Sequence, residues 1–148
     1  NSELLPDELD AVLGMNAVSG DNLSPHHMPS AHSILENEGM NPSYGACSNV
    51  MTDTHKNTFT YGMNNRTRRY DMALYESLSY EDRLVFDQYD LQRVYAESRP
   101  NVDMDIVKSK LKEEYDMAMG MREVKESLTL EGEQDMRNIE EMKEEGCR

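Results

Sequence analysis

Between residues 79 and 128 apolar side chains recur every three to four positions, and helix start and stop signals fall where that period begins and breaks. Ser79 can cap a free backbone N–H, and Asp82, three residues on, complements the positive end of the helix dipole. Tyr80, Leu84, Leu91 and Tyr95 then share one face, with Val85, Tyr89 and Ala96 widening it and Asp82, Asp90, Arg93 and Glu97 opposite. Arg99-Pro100 stops this helix, because proline disfavours helical geometry at the residue before it. Asn101 is the expected cap of the next helix, with Asp103 and Asp105 in its first turn. Its apolar face reads as Ile106, Val107, Leu111, Tyr115, Ala118 and Met121, and Lys110–Glu114 and Lys112–Asp116 are spaced as charge pairs on the wet side. The short break between two amphipathic segments predicts a helical hairpin over 79–119.

The flanks carry weaker patterns. Residues 3–13 read as a short acidic helix with Pro6 in its first turn and Leu5, Leu9, Val12 and Leu13 on one side, suited to a groove on another protein or to the chain's own helices. Residues 19–69 show no sustained period and are rich in Ser, Asn, Gly, Pro, His and Thr, so they read as an extended polar arm that a partner holds or that lies on the helices. Within it, Thr58 to Tyr61 has the composition of a short strand. Residues 131–145 carry Met136, Ile139 and Met142 among many charges, a stripe narrow enough for a solvated helix or for half of a helix pair completed by another chain. The expected fold is mainly α: a helical hairpin with short flanking helices and a long irregular N-terminal arm. It divides into a docking helix over 1–18, the arm over 19–69 and a helical region over 70–148.

Composition changes the picture in two ways. Of 148 residues only 37% are hydrophobic, with no Trp and two Phe, so eight Tyr and twelve Met must fill much of the interior. The formal net charge of −14 repels phosphate and anionic lipid, which disfavours nucleic acid and membrane surfaces as partners. No apolar run approaches the roughly eighteen residues a membrane span needs. Cys47 and Cys147 stand too far apart for a disulfide framework or zinc motif and read as two free thiols of a reducing compartment; the localisation is not fixed by the sequence, with cytoplasm or a virion expected over secretion.

Candidate chemistry is sparse. His26, His27, His32, Cys47 and His55 are the available metal ligands, at spacings that match no standard site. Asp103 to Glu114 places acids at the first, third and last positions of a calcium loop, but Lys108 occupies the position that needs glycine. No phosphate-binding glycine loop, nucleophile elbow, HExxH or CxxC pair occurs. The reading is therefore a chain without catalytic residues, cofactor or metal, for which a small-molecule ligand is not expected. Other protein chains are the expected partners, met by Leu5, Leu9, Val12 and Leu13 and by the basic cluster Arg66, Arg68 and Arg69, whose guanidinium groups can grip carboxylates. The function expected is that of a non-enzymatic structural subunit of a larger assembly, with a virus or phage particle as host by elimination. The alternatives are an acidic adaptor or chaperone for a basic client and an acidic DNA mimic.

Overall fold

The computed structural model describes residues 3–17, 22–61 and 68–144, the last with side chains over 72–125. Among these residues the chain is mainly helical, with a small antiparallel sheet of three strands. These are β1 (Ala11–Leu13), β2 (Leu23–His27) and β3 (Ala46–Met51), in the order β1-β3-β2. The helices are α1 (Ala31–Glu38), α2 (Thr52–Lys56), α3 (Arg68–Ser77), α4 (Tyr80–Ser98) and α5 (Met104–Glu144).

The first helix of the apolar period starts and stops at its sequence signals. Ser79 accepts a hydrogen bond from the Asp82 N–H at 3.2 Å and opens α4, and Arg99 ends it. Tyr80 donates to the Ala118 carbonyl at 2.9 Å and Gln88 to the Leu111 carbonyl at 2.7 Å, so α4 and α5 run in opposite directions against each other. Two details differ from expectation. Asp103, not Asn101, caps α5, its side chain accepting from the Asp105 N–H at 2.9 Å and its carbonyl from Ile106 and Val107. On α4 the buried face is rotated: Val94, Asp87 and Arg83 lie inside, while Tyr89 is 68% exposed. The buried seam of α5 is Val107, Leu111, Glu114 and Ala118, a four-three-four spacing in which a carboxyl group takes an apolar position. Lys110 accordingly does not pair with Glu114. It reaches Asp10 at 2.6 Å instead, whereas Lys112 and Asp116 do pair at 3.0 Å.

The largest departures lie N-terminal to α3. The expected helix over 3–13 is a turn followed by β1, because Asp7 and Leu9 both adopt positive φ, at 68° and 66°, which no α-helix accommodates. Pairing with β3 overrides the helical pattern: the Leu9 N–H donates to the Asn49 carbonyl and the Asn49 N–H to that of Asp10. Glu8, fully buried, then anchors the turn, with its carboxylate accepting from Tyr95 at 2.5 Å, from Arg99 at 2.5 Å and from the Leu5 N–H at 2.8 Å. Breaking such a pair from one side leaves an uncompensated buried charge, which costs on the order of 3–5 kcal/mol.

The described residues of the segment expected as an irregular arm, 22–61, form β2, α1, β3 and α2 instead. Ser30 caps α1 by accepting from the Ser33 N–H at 3.2 Å, and Gly39 ends it at φ +63°, where a left-handed residue turns its N–H back onto the last carbonyls. β3 is the central strand, buried along all but its last residue, and it packs with β1 against α5. β2 is an edge strand, so Pro25 removes no ladder bond that the sheet needs. Thr58 to Tyr61 makes no strand. The Phe59 N–H donates to Asp90 at 2.7 Å, and its ring meets Tyr75 and Phe86 at 6.1 and 5.0 Å. Ile34, Met28, Met40, Ala46 and Val50 from this half join Leu84, Leu91, Tyr95, Val107 and Leu111 in one core. Each Val, Leu, Ile or Met side chain among them contributes about 1.5–3 kcal/mol on full burial.

Candidate functional site

Successive residues of a strand point to opposite faces, so Ser24 and His26 of β2 share one face and His27 takes the other. α2 follows β3 without a loop, which carries His55 over the first of these faces. His55 Nδ1 lies 2.9 Å from the Ser24 hydroxyl, and its ring centroid is 5.0 Å from that of His26 and 4.8 Å from that of Tyr61. His27 donates from Nε2 to the Pro42 carbonyl at 2.8 Å, which places its proton on that nitrogen. A cavity of about 260 Å³ runs between β2, α1, α2 and α3, and all four histidines of the chain, His26, His27, His32 and His55, line it together with Tyr61 and Met72.

Burial sets the electrostatics. His26 is pushed down to about 3, first by desolvation and then by the neighbouring imidazoles of His55 and His27. His27 is lowered by burial, with the Pro42 carbonyl opposing, and His55 is lowered by burial and then by His27. The three rings are neutral at physiological pH, and among the described residues no Asp, Glu, Lys or Arg lines the cavity. Neutral imidazole is the form that ligates metals, yet among the described residues no three His, Cys, Asp or Glu side chains converge as a metal site requires. His26 Nε2 is buried without a hydrogen-bond partner. Cys47, the remaining candidate ligand, pairs across the sheet with His27, but its thiol is buried beside Gly45 and pushed up to about 12 by burial and by Glu114.

The residues that the sequence assigned to partner contact fall in the N-terminal turn, in β1 and around the start of α3. Leu9 is fully buried in the core and has no surface to offer, Leu5 is half-buried in the N-terminal turn, and Val12 and Leu13 are half-buried in β1. Arg66 lies outside the described residues. Arg68 and Arg69 open the backbone of α3, and their side chains lie outside the description. The histidines were legible as ligand types, but their convergence was not, since it depends on β2, β3 and α2 meeting across 31 residues of sequence.

A second polar constellation sits between α4 and α5. Asp87 accepts from Tyr75 at 2.6 Å and Glu114 from Gln88 at 2.7 Å, and burial raises both carboxyl groups well above their ordinary range. Both are fully buried. No family model, curated protein or solved structure matches the chain. No described helix is long and apolar enough to cross a membrane.

Proposed function

We propose that the chain is a non-enzymatic structural subunit of a larger multi-chain assembly and that the far end of α5 is where it meets its neighbours. The observation that carries this is the length of α5, 41 residues against 19 in α4. That is about 60 Å of helix against about 28 Å. α4 begins at Tyr80 beside Ala118, so α5 continues well past the start of the helix it packs on. The sequence gives this extension the narrow stripe Met136, Ile139 and Met142, suited to half of a helix pair. At its base a groove of about 370 Å³ lined by Met40, Tyr44, Met121 and Val124 offers adaptable apolar surface. We take α4 and α5 as the helical hairpin of the sequence pattern. Residues 22–61 form elements of the body and leave α5 as the candidate contact. A virus or phage particle, with the chain as a minor capsid, scaffolding or connector protein, fits a short acidic chain that lacks catalytic motifs. The net charge of −14 favours a second reading, a soluble acidic adaptor or chaperone for a basic client.

Sedimentation velocity of the full chain against one ending at Lys125, combined with limited proteolysis, tests the proposal. Concentration-dependent association that the shortened chain lacks supports it. A full chain that stays monomeric at every concentration and resists proteolysis beyond Lys125 overturns it in favour of a self-contained adaptor.

A further inference from the structure

The buried seam of α5, Val107, Leu111, Glu114 and Ala118, steps by four and three residues. Carried on along the unbroken helix, the same stepping reaches Met121, Lys125, Leu128, Gly132, Asp135 and Ile139. This is the repeat of a two-helix coiled coil. α4 covers the seam up to Ala118, where its first residue, Tyr80, donates to the Ala118 carbonyl at 2.9 Å. From there to Glu144 the helix runs about 39 Å further. α3 turns back toward α1 rather than along α5, since Tyr75 donates to Asp87 at 2.6 Å and Asn37 to Glu76 at 2.8 Å.

The order of these seam residues is complementary to its own reverse. Positions 121 and 139, 125 and 135, and 128 and 132 are each symmetric about Leu130. Two copies laid antiparallel about that level set Met121 against Ile139, Lys125 against Asp135 and Leu128 against Gly132, each layer occurring twice by the two-fold axis. Glycine, with no side chain, leaves room for the leucine that faces it. Laid parallel, the same residues set Lys125 against Lys125 and Asp135 against Asp135, two layers of like charge. The acids of the extension fall mostly elsewhere. Glu123, Glu126, Glu133, Glu140, Glu141 and Glu144 take the outer positions of the repeat, where solvent and salt screen them, and Glu131 flanks the seam. Met121 and Lys125 also line the groove of about 370 Å³ whose facing wall is Met40 and Tyr44, so the layer that receives Ile139 of a second copy has apolar surface on two sides.

We propose that α5 pairs with α5 of a second copy of this chain as an antiparallel two-helix coiled coil centred on Leu130, with Lys125 of each copy meeting Asp135 of the other. The pairing rests on α5 being the place where the chain meets its neighbours, and it names the neighbour.

The test is sedimentation velocity of the full chain and of charge variants at one salt concentration. Lys125→Glu alone and Asp135→Lys alone each put like charges in both layers and are expected to weaken self-association about tenfold. The two substitutions together restore opposite charges and are expected to return it to the wild-type level, with helix content by circular dichroism unchanged throughout. Mild oxidation gives a second readout, with Met121→Cys and Ile139→Cys made separately in a Cys147→Ser background. A disulfide-linked dimer is expected in the mixture alone, because positions 121 of the two copies stand about 27 Å apart. Self-association without rescue by the double variant, or disulfides within each single variant, overturns the antiparallel pairing and leaves the assembly reading in place. A full chain that stays monomeric also overturns the pairing. Protease cleavage beyond Lys125 in that monomer leaves α5 to a different chain, whereas resistance there overturns the assembly reading as well.

Discussion

Replacing Glu114 by Gln should change how the stability of this protein depends on pH. Glu114 is 0% exposed in the seam of α5, its Oε1 accepts from Gln88 at 2.7 Å and its Oε2 has no partner. Burial first, and then the charge of Asp87, raises its pKa well above the ordinary 4.5, with the Gln88 hydrogen bond opposing. The folded state therefore holds a proton that the unfolded chain releases once the pH exceeds about 4.5. Stability is full below that value and falls as the pH rises toward the native-state pKa, by about 1.4 kcal/mol for each pH unit in that window. Gln has nearly the same shape and cannot ionise, so the variant lacks this slope. It also buries an amide where Glu114 presents Oε2 without a partner, a cost of about 1 kcal/mol. The two stability curves should cross: the variant is the weaker near pH 4 and the stronger at neutral pH. Urea unfolding across a pH series, with stability taken from midpoint and slope, measures this directly. A constant difference between variant and wild type at every pH would refute the buried, protonated state of Glu114.

Glu8→Ala should destabilise the fold by on the order of 3–5 kcal/mol, since it leaves Arg99 buried without its carboxylate, and the loss should appear in thermal unfolding. Gly39→Ala should cost about 1 kcal/mol through its positive φ alone, because nothing lies within 4 Å of the added carbon. The Cys47 thiol, pushed up to about 12, should resist a disulfide-exchange reagent at pH 8 in the native protein and react on unfolding. Replacing Arg66, Arg68 and Arg69 together by Gln should weaken association with an acidic neighbour, more at low salt than at high, and leave helix content intact by circular dichroism.

What was legible in the sequence is what local chemistry decides. Ser79 and Arg99-Pro100 bound α4 because a cap and a proline act within one turn, and Leu84, Leu91, Val107 and Leu111 declare their burial by period. The misreadings come from contacts made at a distance. Leu5, Leu9, Val12 and Leu13 have the spacing of a helix face, but pairing of Leu9 and Asp10 with Asn49 and anchoring of Glu8 by Arg99 give that stretch an extended end. Lys110 is spaced for Glu114, yet Asp10 of the same N-terminal segment takes it. β1, β2 and β3 are three, five and six residues long, too short for alternation to stand out, and β3 buries Ser48 and Asn49 that read as loop. α1, capped by Ser30 and closed by Gly39, has eight residues with one buried aliphatic side chain, too few to show a period. The four-histidine cavity followed from the same sheet and was hidden for the same reason.

Backbone hydrogen exchange, followed by mass spectrometry over a dilution series, tests the central claim most directly, because it reads the body and the far end of α5 in one sample. The account predicts that residues 46–51 and 107–118 stay protected at every concentration, while protection over 126–144 rises with concentration or on addition of a partner. Protection over 126–144 equal to that over 107–118 in the most dilute sample would contradict it.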